Sequence, residues 1–288
     1  RASRVAAPAA GRRSGARTRA RHLTDPARNK FPMAKPRFPI VVPPVMHHFA
    51  LELARIGVKR ICANLWSNPD TIDSYYRTYG NMSEQGVEMK FYPEERLLGT
   101  MGSAVKWMVA EEVANNDTVI VLSGDIATNA DLGTILQQHH ESDADITVGF
   151  DPVPWSQVHK YGTASFDGLS PKRPPAAGET DGSYARYLVG YQREVDEFVR
   201  GNSYKALRVT GFAEKVSAKD APSNCNNASI YVFKGSVIKA LWEKGITRVD
   251  DRLDSPFYDF GRHGFPYAFQ QQFKFMGVIL PEHVYWQD

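Results

Sequence analysis

The sequence predicts an α/β fold whose mostly parallel, Rossmann-like sheet is flanked by helices. Candidate strands and helices alternate from Pro36 to Phe150, at the spacing that crossover connections between parallel strands need. Thr118–Leu122 is a continuous apolar run of mainly β-branched residues, as expected for a parallel strand buried on both faces. After Pro152 the pattern loosens. The C-terminal half is therefore expected to be α+β and to form a lid or subdomain.

Each element is assigned from local patterns along the chain. Helices are predicted where apolar residues recur at helical spacing, and strands where short apolar runs lie between turn signals. The predicted helices are Pro43–Ile56, Asp70–Tyr79, Ser103–Ala114 and Ala130–His140. The predicted strands are Val58–Leu65, Val87–Tyr92, Thr118–Leu122, Asp145–Phe150, Leu207–Lys215, Ser229–Lys234 and Phe273–Leu280. Leu169–Gly182, rich in Pro, Gly and Ala, is predicted to be a mobile surface loop.

The charge is unevenly distributed along the 288 residues, which carry +3 overall. Residues 1–40 hold nine Arg, two Lys and the single acid Asp25, so this arm is +10 and the remainder is −7. The arm has the composition of an organellar transit peptide, and it equally fits a disordered basic leader. Because no nucleic-acid-binding motif accompanies the arm, we expect no nucleic-acid partner.

The composition excludes several classes of protein. With 42% hydrophobic and 11% aromatic residues, the chain can bury a core, so it is not wholly disordered. Its apolar runs are far shorter than the roughly 18–20 residues that span a bilayer, so no membrane partner is expected. Cys62 and Cys225 form no CxxC motif, which argues against a disulfide scaffold and structural zinc. A reducing, cytoplasmic location is expected, with an organelle as the alternative if the arm is a transit peptide.

Three short motifs carry possible chemistry, and each has an ordinary alternative. Leu98–Ser103 places two glycines at the start of a predicted helix, where backbone N–H groups can approach a ligand or simply form a turn. Asp125 follows a predicted parallel strand, where a carboxylate can hold Mg²⁺ or cap the next helix. Glu214-Lys215 can contact sugar hydroxyls and a phosphate, or form a solvated ion pair.

The order of the motifs is more specific than any one of them. Leu98-Gly99-Thr100-Met101-Gly102, Ser123-Gly124-Asp125, Tyr161-Gly162, Glu214-Lys215, Asn227-Ala228-Ser229-Ile230-Tyr231 and Tyr285-Trp286-Gln287-Asp288 occur in this sequence. From about Met33 to Asp288 the chain therefore resembles the sugar-phosphate nucleotidyltransferases, also called NDP-sugar pyrophosphorylases. The resemblance implies a nucleotide-binding core and a sugar-phosphate-binding portion. It also implies Mg²⁺-dependent transfer of a nucleotidyl group from a nucleoside triphosphate to a sugar 1-phosphate, releasing pyrophosphate.

The resemblance also implies roles for individual residues, taken motif by motif. The expected metal-binding residues are Asp125 and Asp288. The expected nucleotide-binding residues are Gly99, Thr100, Gly102 and Gly124. The expected sugar-phosphate-binding residues are Gly162, Glu214, Lys215 and Asn227. The expected catalytic residues are Arg19, Lys30 and Lys215.

The same resemblance divides the chain and identifies its weak point. Residues 1–30 are expected to be a leader or a degenerate phosphate loop, 31–152 the nucleotide-binding part and 153–288 the sugar-phosphate-binding part. In the loop, Arg17 stands where the family has glycine, and Phe31 is inserted beside Lys30. Farther on, Ser229 replaces a glycine, and His263 stands where the family has an aspartate.

These departures leave two functions open. The chain is expected to be an active enzyme, with mannose 1-phosphate and a guanylyl group favoured by the Gly-Thr-x-Gly form of its loop. The alternative is a catalytically silent homologue that binds a nucleotide sugar as a regulatory subunit. The expected partners are the nucleoside triphosphate and the sugar 1-phosphate, with a homo-oligomer possible.

Overall fold

The computed structural model describes residues 4–9, 44–66, 68–95, 97–246, 258–284 and 286–287, with backbone only for 4–9, 244–246 and 286–287. It divides the chain into two compact units. The first comprises Arg1–Thr128, Ser229–Tyr267 and Gln287–Asp288, and the second Asn129–Ala228 and Ala268–Trp286. The units do not follow the predicted division at residue 152, because the chain returns to the first unit at Ser229 after forming the second.

The first unit contains a mainly parallel sheet. Its strands are β1 (Arg4–Ala9), β2 (Arg60–Leu65), β3 (Glu88–Pro93), β4 (Thr118–Leu122), the short β5 (Ala127–Thr128) and the part of β9 (Cys225–Lys234) that follows Ala228. The order β3-β2-β1-β4 is parallel throughout, and β9 pairs antiparallel with β4 from Thr118↔Lys234 to Leu122↔Ile230. This confirms the predicted α/β class.

Three helices of the first unit lie where the sequence predicts them, with shifted boundaries: α1 (Val45–Arg55), α2 (Pro69–Thr78) and α3 (Gly99–Ala110). A further helix, α6 (Gly235–Ala240), is absent from the sequence-based assignment. In α1 the buried residues are Met46, Ala50 and Leu53. Of the apolar residues whose helical spacing predicts this helix, Val45, Phe49, Leu53 and Ile56, Leu53 is buried and the other three are half-buried. β4 occupies the predicted residues, and four of its five side chains are buried, as its apolar run requires.

The second unit is more antiparallel, in agreement with the predicted α+β character. Its elements are α4 (Leu132–Glu141), β6 (Ile146–Pro152), β7 (Gly162–Phe166), α5 (Asp181–Asn202), β8 (Ala206–Glu214) and β10 (Phe275–Ile279). β6 and β10 are parallel, whereas β8 pairs antiparallel with both β10 and β7. The first residues of β9 also belong to this unit, where Asn226 pairs with Thr163 of β7.

Two of the elements just named are absent from the sequence-based assignment. One is the short strand β7. The other is the 22-residue helix α5, which begins at Asp181, inside the segment Leu169–Gly182 that the sequence predicts to be a mobile loop. The preceding residues are anchored to this helix: Arg173 N donates to Tyr187 Oη (2.9 Å), and Tyr191 Oη donates to Ser170 O (2.8 Å). The segment is therefore a docked connection that leads into a helix.

The remaining helices are short. α7 (Phe265–Gln270) follows a π-helical turn at Phe260–Gly264, and a second π-helical turn, Leu241–Ile246, follows α6. The strand β11 (Trp286–Gln287) pairs with β5. Among the helices described, none combines the length and apolar character that crossing a bilayer requires.

Candidate functional site

Asp125 lies just beyond the carboxyl end of β4, in the first unit. Ser123 Oγ donates a hydrogen bond to Asp125 Oδ1 (2.5 Å), and Ser123 N donates to Ser229 O (3.2 Å). Gly124 lies between them in the loop. The backbone of β9 thus holds the loop, and a hydroxyl orients the carboxylate. Ligands of open α/β sheets bind at this end of the strands, so Asp125 is placed for that role.

Ser229 adopts an unusual backbone conformation for a serine. Its φ is +58°, in the left-handed region that glycine enters at little cost. The family resemblance expects a glycine here, and the fold retains the glycine-type backbone although the side chain is present. Because Ser229 O accepts from Ser123 N, this strained residue is coupled directly to the loop that carries Asp125.

The second predicted metal-binding residue, Asp288, lies outside the described residues, as do Arg19 and Lys30. Gln287, directly before Asp288, belongs to the first unit and to the strand that pairs with Ala127–Thr128. Asp125 lies two residues before Ala127, where that strand pairing begins. Across the residues that the structure describes, no three His, Cys, Asp or Glu side chains form a metal-binding group.

The start of α3 is organised around Tyr258. Gly99 has a φ of +82°, and a Cβ there would overlap Tyr258 O and lie 2.7 Å from Tyr258 N. Met101 N and Gly102 N both donate to Tyr258 O, at 3.0 and 3.4 Å. The two glycines therefore allow the backbone of Tyr258 to approach the start of α3 closely. Tyr258 O accepts from both of those N–H groups.

Thr100 and Asp259 continue the same contact. Thr100 Oγ1 donates to Asp259 Oδ2 (3.4 Å), and Thr100 is 7% exposed. The Asp259 carboxylate caps the π-helical turn by accepting from Gly261 N (2.8 Å). His263 Nδ1 accepts from Asp259 N (3.0 Å), so the residue that departs from the family pattern contributes to this turn.

Glu94, which was not selected from the sequence, is half-buried in the segment between β3 and α3. Both of its carboxylate oxygens are buried, as are Asn64 Nδ2, Ser103 Oγ and Trp107 Nε1. Burial raises the pKa of Glu94. No sequence signal distinguishes Glu94 from the exposed Glu95 beside it, because only tertiary packing buries one of them.

In the second unit, Gly162 and Glu214 face each other across β7 and β8. A Cβ on Gly162 would overlap the Phe212 ring and the Glu214 carboxylate, so glycine is required for this approach. The Glu214 side chain is only 10% exposed, and Lys215 Nζ lies 3.9 Å from Glu214 Oε1. The structure therefore brings these three predicted residues together.

Lys215 itself has a φ of +54°, and its N–H donates to Tyr161 O (2.9 Å). A lysine held in this costly conformation is constrained by the surrounding strands, which is typical of functional positions. Its side chain remains about a quarter exposed, so its ammonium can reach a ligand.

Asn227 is 8% exposed and follows Asn226, which is fully buried. Successive residues of a strand point to opposite faces, so Asn226 and Asn227 serve different sides of β9. Asn226 shares its face with its pairing partner Thr163, and in the described part of the chain neither side chain has a hydrogen-bond partner.

Asp151, near the end of β6, is a second residue that the sequence reasoning missed. Burial raises the pKa of Asp151 to about 7. Its charge also acts on the thiol of Cys225, two residues before Asn227 on β9. A buried carboxylate without an opposing charge is costly to ionise, and such groups are enriched at functional sites.

Comparison with known proteins identifies one family, whose matching relatives include guanylyl-, uridylyl- and adenylyltransferases. Residues 30–288 match the family model described as nucleotidyl transferase. A mannose-1-phosphate guanylyltransferase of Mycobacterium tuberculosis is 28% identical over 207 residues, covering 72% of this chain and 45% of that protein. A UTP--glucose-1-phosphate uridylyltransferase of Synechocystis is 32% identical over 139 residues, covering 46% of this chain and 36% of that protein. The chain thus spans less than half the length of these curated relatives.

A solved structure supports the fold over almost the whole chain. The crystal structure of a UDP-glucose pyrophosphorylase complexed with UDP-glucose has a TM-score of 0.65 and 14% sequence identity, covering 99% of this chain and 93% of that one. At that identity the likeness establishes the fold alone.

Proposed function

Because the chain belongs to the nucleotidyl transferase family, we propose that it transfers a nucleoside monophosphate from a nucleoside triphosphate to a sugar 1-phosphate. The products are an NDP-sugar and pyrophosphate. The observation that carries the proposal is the Asp125 carboxylate, held by Ser123 at the carboxyl end of a buried parallel strand. The grouping of Gly162, Glu214 and Lys215 in the second unit supports it.

The reaction is a displacement at phosphorus. A phosphate oxygen of the sugar 1-phosphate attacks the α-phosphorus, the bond from that phosphorus to the β-phosphate oxygen breaks, and pyrophosphate leaves. Most of the rate in such chemistry comes from positioning and charge neutralisation. In the proposed roles, Glu214 and Asn227 bind sugar hydroxyls, and Lys215 neutralises the sugar phosphate. Arg19 and Lys30 would act on the triphosphate.

Mg²⁺ is the proposed cofactor, and the chemistry of the available donors fits it. Mg²⁺ binds hard oxygen ligands and commonly uses one or two carboxylates together with substrate phosphates. Asp125, with its oriented carboxylate, would be one protein ligand, and Asp288 is the proposed second. When bound, the ion would offset the negative charge of the phosphates.

The proposed substrates are GTP and mannose 1-phosphate. The Gly-Thr-x-Gly form of the loop supports this choice. A mannose-1-phosphate guanylyltransferase is also 28% identical over 207 residues, a higher identity than the 22% over 212 residues of a glucose-1-phosphate adenylyltransferase. The names of both relatives specify a sugar 1-phosphate, which supports this class of substrate independently of the choice of GTP and mannose.

A second candidate function is a silent homologue that binds a nucleotide sugar as a regulatory subunit. It is favoured by the hydrogen bonds from Met101 N and Gly102 N to Tyr258 O, which engage two of the N–H groups at the start of α3. Arg17, which stands where the family has glycine, supports the same alternative.

The test is pyrophosphate release with Mg²⁺, crossing the common nucleoside triphosphates with several sugar 1-phosphates. We expect the fastest release with GTP and mannose 1-phosphate.

Asp125→Asn should lower kcat at least about 100-fold, as loss of a charge-stabilising group does elsewhere. Asp73→Asn, a surface substitution in the first unit, is the matched control and should retain activity. Full activity of Asp125→Asn would contradict the metal role. An inactive protein that still binds the nucleotide sugar would favour the second function.

A further inference from the structure

The chain forms a compact turn directly after Lys215, here called the 216–221 turn. Asp220 N and Ala221 N both donate to Ser217 O, at 3.0 and 2.9 Å, and Ser217 Oγ donates to Asp220 Oδ2 (2.6 Å). β8 ends one residue before Lys215, so the turn holds the backbone on the other side of that lysine. The placement of the turn therefore affects the direction of the Lys215 side chain.

An apolar cluster centred on Val158 and Ala221 anchors one side of the turn, because Val216 packs against it. Tyr161, whose O accepts from Lys215 N (2.9 Å), packs against the same cluster. Apolar packing is non-directional, so it does not by itself hold the turn in one orientation. A directional contact from another element is needed for that.

Lys172, in the connection that precedes α5, supplies a directional contact. Its Nζ donates to Lys219 O in the turn (2.7 Å) and to Tyr184 Oη on α5 (2.7 Å). Tyr184 is buried, and its Oη donates in turn to Arg173 O (3.0 Å). The hydroxyl is therefore held from both sides. One ammonium group thus joins the helix to the turn, and we call this contact the Lys172 bridge.

A second contact between the turn and α5 is more exposed. Lys219 Nζ pairs with Asp181 Oδ1 (2.8 Å), but the two side chains are 51% and 88% exposed. Water and salt screen such a pair, so it adds little to stability. Lys172 is half-buried, and burial lowers the pKa of its ammonium. Hydrogen bonds from a charged donor are strong, so we expect the bridge to hold the turn more firmly than the surface pair does.

We propose that Lys172 is a positioning residue that holds the 216–221 turn against α5 and so fixes the Lys215 side chain for the phosphate of the sugar 1-phosphate. Lys172 acts through the backbone of the turn and does not contact the substrate. The catalytic consequence rests on the proposed function, whereas the bridge is a property of the folded chain.

The kinetic test compares Lys172→Met with Lys219→Met, which removes the surface pair but keeps the Lys219 O acceptor. Misplacing a binding group by about an ångström can cost roughly 100-fold, so Lys172→Met should raise KM for the sugar 1-phosphate by about 10-fold. KM for the nucleoside triphosphate should stay within about 2-fold of wild type, because Lys215 is proposed to bind only the sugar phosphate. Lys219→Met should change neither KM by more than about 2-fold.

Amide hydrogen exchange of the protein without substrate tests the bridge independently of turnover. Loss of the bridge should let the turn open more often, so Lys172→Met should speed exchange of the Lys215 and Ala221 amides by about 10-fold. Amides of β6 and all amides of Lys219→Met should stay within about 2-fold of wild type. Tyr184→Phe keeps the ring and removes one acceptor of the bridge, so it should give a smaller change in the same direction. It maintains the test if Lys172→Met fails to fold.

The two readouts together separate positioning from direct contact. A raised KM for the sugar 1-phosphate with unchanged exchange would show that Lys172 contacts the substrate, and it would overturn the proposal. So would a wild-type KM in Lys172→Met, or an equal rise in the KM values of both substrates. Faster exchange in a protein that turns over no sugar 1-phosphate would support the bridge and contradict only the proposed function.

Discussion

At the scale of single residues, glycines decide how closely two backbones approach. Gly99 and Gly57 both have positive φ, +82° and +90°, but their surroundings differ. A Cβ on Gly99 would overlap the backbone of Tyr258, whereas one on Gly57 would meet no atom within 4 Å. The pair therefore separates the cost of steric overlap from the cost of the left-handed backbone.

We predict that Gly99→Ala destabilises the protein by about 3 kcal/mol and Gly57→Ala by about 1 kcal/mol. The difference arises because Tyr258 must move from Met101 and Gly102 only in the first variant. Urea denaturation of both variants and of wild type measures it. Equal losses would contradict the close packing of Tyr258 on the start of α3.

The identity of a residue does not determine its burial or its backbone conformation, as Glu94, Asp151 and Ser229 show. The sequence contains all three, but burial of the first two and the left-handed backbone of the third follow from distant segments. By contrast, the motif residues Glu214 and Asn227 were identified because their neighbours along the chain are informative. Their roles in binding sugar remain predictions.

At the scale of elements, helix α5 has an amphipathic sequence pattern that would have predicted it. Its buried residues Tyr184, Leu188, Tyr191, Val195 and Val199 recur every three or four positions. The Thr180 side chain caps the helix by accepting from Ser183 N (3.2 Å). The prolines and glycines just before the helix predict a loop. The apolar residues at helical spacing that follow them nevertheless form a helix from Asp181 onward.

Helix α5 also contains an exposed glycine at its centre. A Cβ added at Gly190 would meet no atom within 4 Å, and the backbone there is helical. We predict that Gly190→Ala stabilises the protein by about 1 kcal/mol, because alanine loses less backbone entropy in a helix. Thermal unfolding measures the change.

The matched control is Gly201→Ala, one residue from the end of the same helix, where fraying reduces the gain. An equal effect at both positions, or a loss at Gly190, would contradict a continuous helix from Asp181 to Asn202.

At the scale of the whole molecule, the buried carboxylate of Asp151 links stability to pH. Its pKa is about 7 in the folded state and 3.8 in the unfolded chain, so between these values the folded state holds a proton that the unfolded state lacks. Stability therefore falls as pH rises through that window, and the full penalty remains above pH 7.

We predict that Asp151→Asn is more stable than wild type at pH 8 and that the difference shrinks as pH falls toward 4. Urea denaturation at several pH values measures it, and Asp167→Asn, on an exposed aspartate, controls for the change in net charge. A difference that grew toward low pH would show that the folded state stabilises the ionised Asp151 carboxylate.

The α/β class, strand β4 and the order of the motifs can be predicted from the sequence, because they depend on local apolar patterns and on residues adjacent in the chain. Tertiary structure alone decided that α3 begins at Gly99, four residues before the predicted start, since Tyr258 caps it from a distant segment. It also decided the two units and the burial of Glu94 and Asp151. Those properties depend on which segments meet in space, and spacing along one chain does not specify that.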